Sequence, residues 1–164
     1  MSRALAACFP LDGLNKVAIA LGSNLGDRDR QLRAAAVRLE TIVSDLRLSN
    51  FHDTLPVGVA AQPRFLNAAA TGKTRLAPRA LLDALLDIER AFGRTRPFPG
   101  APRTLDLDLI LYNDAVLDEP GLVVPHPRFR ERLFVLAPLA ELAADWRDPV
   151  TGKTVGELLE DLEA

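Results

Sequence analysis

Residues 104–109 read Thr-Leu-Asp-Leu-Asp-Leu, a strict alternation that fits a β-strand and no other regular element. A strand sends Leu105, Leu107 and Leu109 to one face and Asp106 and Asp108 to the other. One face must therefore meet a core, while the other holds two carboxylates roughly 7 Å apart on the same side. Like charges so placed raise each other's energy unless something positive lies between or above them. Arg103, just upstream, is one such group. A divalent cation is a better one, because hard oxygen donors converging from one face suit Mg²⁺, with substrate phosphates completing the shell. Taken alone, the pattern also fits a half-exposed strand whose polar face is merely acidic.

The preceding loop favours the metal. Arg94, Arg96 and Arg103 bracket a segment rich in proline and glycine that ends at the two aspartates. A guanidinium is always charged and grips phosphate oxygens with two parallel N–H groups. Three of them aimed at one carboxylate pair describe a site for Mg²⁺ on a polyphosphate, since surface ion pairs would gain little from the same arrangement. Downstream, His126, Arg128, Arg130 and Arg132 form a second basic cluster.

The rest of the chain supplies a scaffold. An apolar run at 17–21 predicts a buried strand, and 22–27 a turn out of it. Asp27 is placed to cap a helix running to about Ile42, with Leu32, Ala35, Ala36 and Leu39 on one face. Strands are predicted over 45–51, 65–74 and 122–124, and a loop over 54–58. The clearest helix spans 76–92, with Pro78 in its first turn and Gly93 just past its end. A helix over part of 130–143 is expected to be interrupted at Pro138, and Thr154 to cap a last helix through Leu162. The Gly-Lys-Thr triplets at 72–74 and 152–154 are not phosphate loops, because Asn67 and Arg147 stand where the required glycine would be.

At 164 residues the chain suits one domain, read as 17–164 with an N-terminal extension at 1–16. Interleaved strands and helices predict an α/β or α+β sandwich. A net charge of −2 offers no basic field for nucleic acid, and no stretch approaches a membrane-spanning length. Cys8 is the only cysteine, which fits a reducing compartment and hence the cytoplasm.

Pro102-Arg103-Thr104-Leu105-Asp106-Leu107-Asp108 resembles the signature of the 6-hydroxymethyl-7,8-dihydropterin pyrophosphokinases of the folate pathway. The likeness extends to Ala20-Leu21-Gly22-Ser23-Asn24-Leu25-Gly26, to Phe65-Leu66-Asn67-Ala68-Ala69, and to the stretch from Val124-Pro125-His126 to Arg132-Leu133-Phe134. It covers about residues 17–160 in order and spacing.

The resemblance implies a ferredoxin-like α/β sandwich with a mainly antiparallel sheet, and one reaction. The pterin hydroxymethyl oxygen attacks the β-phosphorus of ATP, pyrophosphate is transferred whole and AMP leaves. It implies that Asp106 and Asp108 hold two Mg²⁺ ions, and that Arg94 and Arg103 join them as catalytic residues. ATP would be bound by Glu89, Arg94, Arg96, Arg103, Leu109, Val123, His126 and Arg132. The pterin would lie between Phe65 and Phe134, with Asn67 and Asp106 on its edge and the backbones of Thr54 and Val57 beside it. The implied partners are these small molecules alone, with no nucleic acid or membrane, and a monomer is expected. Many relatives carry Arg-Trp-Gly-Pro-Arg where this chain has Pro99-Gly100-Ala101-Pro102-Arg103, so the covering role of that tryptophan is expected of Phe98. Two other readings remain open: a metal-dependent phosphohydrolase using the same aspartates to activate water, and a non-catalytic ferredoxin-like binding module.

Overall fold

The computed structural model describes residues 13–54, 64–93 and 105–164. Its elements run β1 (Asn15–Ser23), α1 (Arg28–Leu39), β2 (Ser44–Leu48), β3 (His52–Thr54), β4 (Phe65–Thr74), α2 (Pro78–Ala91), β5 (Asp106–Tyr112), β6 (Leu117–Glu119), β7 (Leu122–Val124), α3 (Leu133–Ala143) and α4 (Val155–Glu163). A short 3-10 turn, Phe129–Glu131, precedes α3. The main sheet has the order β2-β4-β1-β5, with β3 also on β4, and every pairing is antiparallel. Helix α1 links β1 to β2 and α2 links β4 to β5, each passing over one intervening strand. This is the ferredoxin-like α/β sandwich expected from the resemblance. Strands β6 and β7 form a separate hairpin.

Alternation along the strands builds two cores, one on each side of the sheet. Val17, Ile19 and Leu21 of β1, Ala68 and Ala70 of β4, and Leu105, Leu107 and Leu109 pack with Leu32 and Leu39 of α1 and Leu81 and Leu85 of α2. Ala18, Ala20 and Ala69 face the other way, against Phe129, Leu136, Leu139 and Leu158 of the α3–α4 layer. The small side chains on this second face let α3 lie close to the sheet.

Several boundaries differ from expectation for identifiable reasons. Strand β1 begins at Asn15 and continues through Gly22 and Ser23, which pair with Asn67 and Leu66 of β4 instead of turning away. The strand expected over 45–51 is β2, which ends at Leu48, and an unexpected strand, β3, follows at His52–Thr54. Between them Ser49 exchanges bonds with Ala69, its N–H donating to the Ala69 carbonyl and its hydroxyl accepting from the Ala69 N–H. Helix α3 runs through Pro138 without interruption. Pro138 is the sixth of its 11 residues, and its missing N–H forfeits the one bond to the Phe134 carbonyl. Asp27 caps α1 through the Arg30 N–H, and Thr154 and Glu157 form a reciprocal capping box on α4.

The two Gly-Lys-Thr triplets find structural uses. A Cβ on Gly72 would lie 2.3 Å from Val43 Cγ1 and 2.7 Å from the Ser44 carbonyl oxygen, so glycine there lets β2 approach β4. In the second, the Gly152 N–H donates to the Asp148 carbonyl and the Lys153 carbonyl accepts the Asp148 N–H. This closes a turn on Asp148, whose carboxylate also takes two bonds from Arg130.

Candidate active site

Strand β5 presents Asp106 and Asp108 on the α3 face, both half-buried, while Leu105, Leu107 and Leu109 sink into the opposite core. The alternation read in the sequence therefore holds as far as Leu109. There it stops: Ala18 pairs with Leu111 and Ile19 with Leu109, leaving Ile110 as an extra residue. This bulge puts Ile110 and Leu111 together in the α3-side core and returns Tyr112 to the other. The carbonyl of Ile110 accepts the backbone N–H of His126 at 3.0 Å, which ties the downstream basic loop to the aspartate strand.

Pairing across the sheet sets four residues in one row on the α3 face. His52 pairs with Asn67, Asn67 with Gly22, and Gly22 with Asp106. The next row places Asp108 beside Ala20, and Ala20 beside Ala69. Directly paired residues share a face, so the floor between Asn67 and Asp106 is bare backbone. A Cβ on Gly22 would come within 3.1 Å of Asn67 Oδ1 and 3.7 Å of the Phe65 ring. Phe65 and Asn67, two residues apart in β4, lie on that same side. Asn67 is buried, and its amide donates to the Thr54 hydroxyl at 2.6 Å. Phe134, in the first turn of α3, leans half-buried against the α3-side core. The Arg132 guanidinium lies 5.6 Å from the centroid of the Phe134 ring. A flat, edge-polar ligand would find apolar rings, a bare floor, an amide and a carboxylate on one side of the sheet.

His126 joins this cluster electrostatically. Burial lowers its pKa to about 4, Arg132 pushes the same way, Asp106 opposes them, and Arg128 adds a smaller lowering. The ring is therefore neutral at neutral pH. Its Nδ1 accepts the Arg128 backbone N–H at 3.1 Å, which assigns the ring proton to Nε2. Nε2–H is thus a fixed neutral donor.

Other expected site residues fall in different places. Leu109 has its side chain in the α1–α2 core, so only its backbone can reach a ligand on the α3 face. Val123 is 41% exposed on the outward side of β7. Glu89 is buried on α2, and its Oε2 accepts the Leu107 N–H at 2.6 Å. Val57, Arg94, Arg96, Phe98 and Arg103 lie outside the described residues. Gly22 was missed as a site residue because it was read as part of a turn. A glycine inside a strand pattern is itself a sign of close approach by backbone or ligand.

The donor set suits Mg²⁺. Among the described residues no group of three or more His, Cys, Asp or Glu is assembled to hold a metal ion. The pair Asp106 and Asp108 offers hard carboxylate oxygens from one face, and one or two carboxylates plus phosphates are what Mg²⁺ ordinarily takes from a protein and its substrate.

Known proteins resemble this chain in sequence and in fold. The family model for 7,8-dihydro-6-hydroxymethylpterin-pyrophosphokinase matches residues 18–144. A Bacillus subtilis protein named 2-amino-4-hydroxy-6-hydroxymethyldihydropteridine pyrophosphokinase is 48% identical over 132 residues, covering 79% of each chain. One of the same name from Pseudomonas aeruginosa is 45% identical over 148 residues, 89% of this chain and 91% of the relative. Among solved structures, the wild-type HPPK-DHPS chain of Plasmodium falciparum superposes with a TM-score of 0.72 at 13% identity. That match covers 90% of this chain but only 44% of the larger one, and it speaks to the fold alone.

Proposed function

The chain belongs to the 7,8-dihydro-6-hydroxymethylpterin-pyrophosphokinase family, and from that premise we infer how its own residues carry the reaction. It is a diphosphotransferase of folate biosynthesis, passing pyrophosphate from ATP to the hydroxymethyl group of 6-hydroxymethyl-7,8-dihydropterin. The hydroxymethyl oxygen bonds to the β-phosphorus, the bond from that phosphorus to the α–β bridging oxygen breaks, and AMP departs. The observation that carries this reading is the row Asn67–Gly22–Asp106, with Asp108 one row below and Phe65 on the same face.

The pterin lies over Gly22 between the rings of Phe65 and Phe134, a favourable place for a flat heteroaromatic. Asn67 offers a donor and an acceptor to its edge, and the backbones of Thr54 and Val57 complete that edge. Asp106, at the end of the row, meets the hydroxymethyl side. Asp106 and Asp108 are the residues that would hold Mg²⁺. Bound by these two aspartates, Mg²⁺ would supply neutralisation of the phosphate charge for an in-line displacement.

Arg94, Arg96, Arg103 and Arg132 neutralise the triphosphate, and Arg94 and Arg103 count among the catalytic residues. His126 donates Nε2–H to a phosphate oxygen, a role its neutral ring fills without adding charge. Val123 and the backbone of Leu109 line the nucleotide side. Glu89, expected to bind ATP, is instead buried on α2 against Leu107 and takes no part in it. Transfers of this kind are catalysed mainly by positioning and charge neutralisation, so no strong general base is needed. We read the protein as a cytoplasmic monomer whose partners are ATP and the pterin, with no part for nucleic acid or a membrane. No helix among the described residues is long and apolar enough to cross one.

Mixing the protein with ATP, Mg²⁺ and hydroxymethyl-dihydropterin tests the reading. AMP should appear only when the pterin is present, and Asp106→Asn or Asp108→Asn should abolish it with the melting temperature little changed. Nucleotide cleavage without pterin would indicate a phosphohydrolase. No turnover at all would indicate a binding module.

A further inference from the structure

We propose that Glu89 is a positioning residue for the metal pair, reaching from α2 to hold the strand that carries Asp106 and Asp108 at its edge away from β1. The proposal rests on the reading of those aspartates as metal ligands. Helix α2 turns Leu81, Leu85, Ile88 and Glu89 inward, and Glu89 is 1% exposed. Glutamate is almost never so buried without a partner, because an ionised carboxylate loses its hydration there.

The Leu107 backbone N–H is such a partner, at 2.6 Å, within a buried environment. That length is short for an N–H···O bond. Leu107 lies between Asp106 and Asp108, so whatever holds its peptide holds both carboxylates.

The strand needs holding. Among the described residues β5 ends the sheet, with β1 on one side, and an N–H on the far side finds no described strand to receive it. The Glu89 carboxylate takes that place. On the side that is paired, Asp106 faces Gly22 and Asp108 faces Ala20, two residues with little side chain to grip. The bulge at Ile110 then breaks the ladder immediately beyond. A short stretch of β5 thus carries two like charges on one face, and a slip or twist there would separate the carboxylates from their working geometry. The bond from Leu107 to Glu89 opposes that movement.

Two substitutions in the full-length protein separate this role from a role of the charge. Glu89→Gln keeps the length and an acceptor oxygen but removes the charge. Glu89→Asp keeps the charge but shortens the reach by one methylene. Amide hydrogen exchange at Leu107 should stay slow in the glutamine variant and accelerate in the aspartate variant, with Leu21 of β1 as the internal reference. Mn²⁺ binding, followed by electron paramagnetic resonance with α,β-methylene ATP present, should be near wild type in the glutamine variant. It should weaken about tenfold in the aspartate variant, the lower end of what losing support behind a metal ligand costs.

The reverse order, or equal behaviour of the two variants, overturns the proposal, because charge or bulk and not the bond to Leu107 would then decide. If the aspartate variant does not fold, the glutamine variant decides alone: lost Mn²⁺ affinity with Leu107 still protected overturns it, and retention of both upholds it. Should Asp106→Asn leave Mn²⁺ binding unchanged, the metal reading itself has failed, a result distinct from any pattern at Leu107.

Discussion

Asn67 and Asp106 stand on either side of Gly22 in one row across three strands, and nothing but the absent Cβ of that glycine keeps the floor between them bare. Gly22→Ala tests whether that floor is used. The backbone there lies outside the left-handed region, so alanine is tolerated locally, and the new methyl meets Asn67 Oδ1 at 3.1 Å. We expect pterin binding to weaken by about 1–3 kcal/mol, the usual effect of an extra methyl in a filled site. ATP binding should be unchanged. Calorimetric titration with each ligand measures both, and equal losses would mean that the change acts on the fold.

Phe65 and Phe134 approach the same face from β4 and α3. Replacing either by alanine should weaken pterin binding by roughly 1–3 kcal/mol through lost ring contact and burial, and ATP binding much less. Phe134 also carries the Arg132 guanidinium above its ring, so its loss should disturb ATP more than loss of Phe65 does. The same titration separates the two. If both variants lose both ligands equally, the rings are packing residues.

His126 predicts a pH dependence of stability with a definite sign. Its pKa falls from an ordinary 6.5 to about 4 in the folded protein, chiefly through burial. Between those values the unfolded chain takes up a proton that the folded ring refuses, so stability must fall as pH is lowered from 6.5 toward 4. The lowered carboxylates do not confuse that window. Asp148, at about 2, keeps its contribution until pH drops below the ordinary aspartate range, and Asp53 and Glu157 are lowered in the same sense. Melting temperature should therefore decline between pH 6.5 and 5, and His126→Gln should flatten that slope. A slope unchanged by the substitution would show that the proton is taken up elsewhere.

Asp148 should matter to folding and not to chemistry. It is fully buried and accepts from Arg130 Nε at 2.5 Å and Nη2 at 2.9 Å, from the Val150 N–H and from the Thr151 hydroxyl. Asp148→Ala leaves a largely buried guanidinium without its carboxylate, a change that costs about 3–5 kcal/mol. Denaturant unfolding should show that loss. At a temperature where the variant is folded, KM for both substrates should match the wild type.

What the chain says on its own is set by local pattern. Alternation places Asp106 and Asp108 together opposite three leucines, Pro78 and Gly93 bound the long helix, Asp27 and Thr154 mark caps, and the ordered motifs from Gly22 to Phe134 carry the family. Each of these depends on residues a few positions apart, where backbone geometry leaves few alternatives. Tertiary structure decided the rest. Phe65, Asn67, Gly22 and Asp106 become neighbours only because β1 is paired on both sides. The bulge at Ile110, which ends the alternation and offers His126 its carbonyl, has no mark in a run of apolar residues. Pro138 stays helical in mid-α3, where its ring is buried in the packing of that helix. Glu89 reads as a polar interruption in an apolar stripe until Leu107, 18 positions away, brings its N–H to it. The neutral ring of His126 likewise depends on burial and on Arg132, against the opposing charge of Asp106. Partners distant in the chain meet only through the whole fold, so the energies they share are written in no single stretch of it.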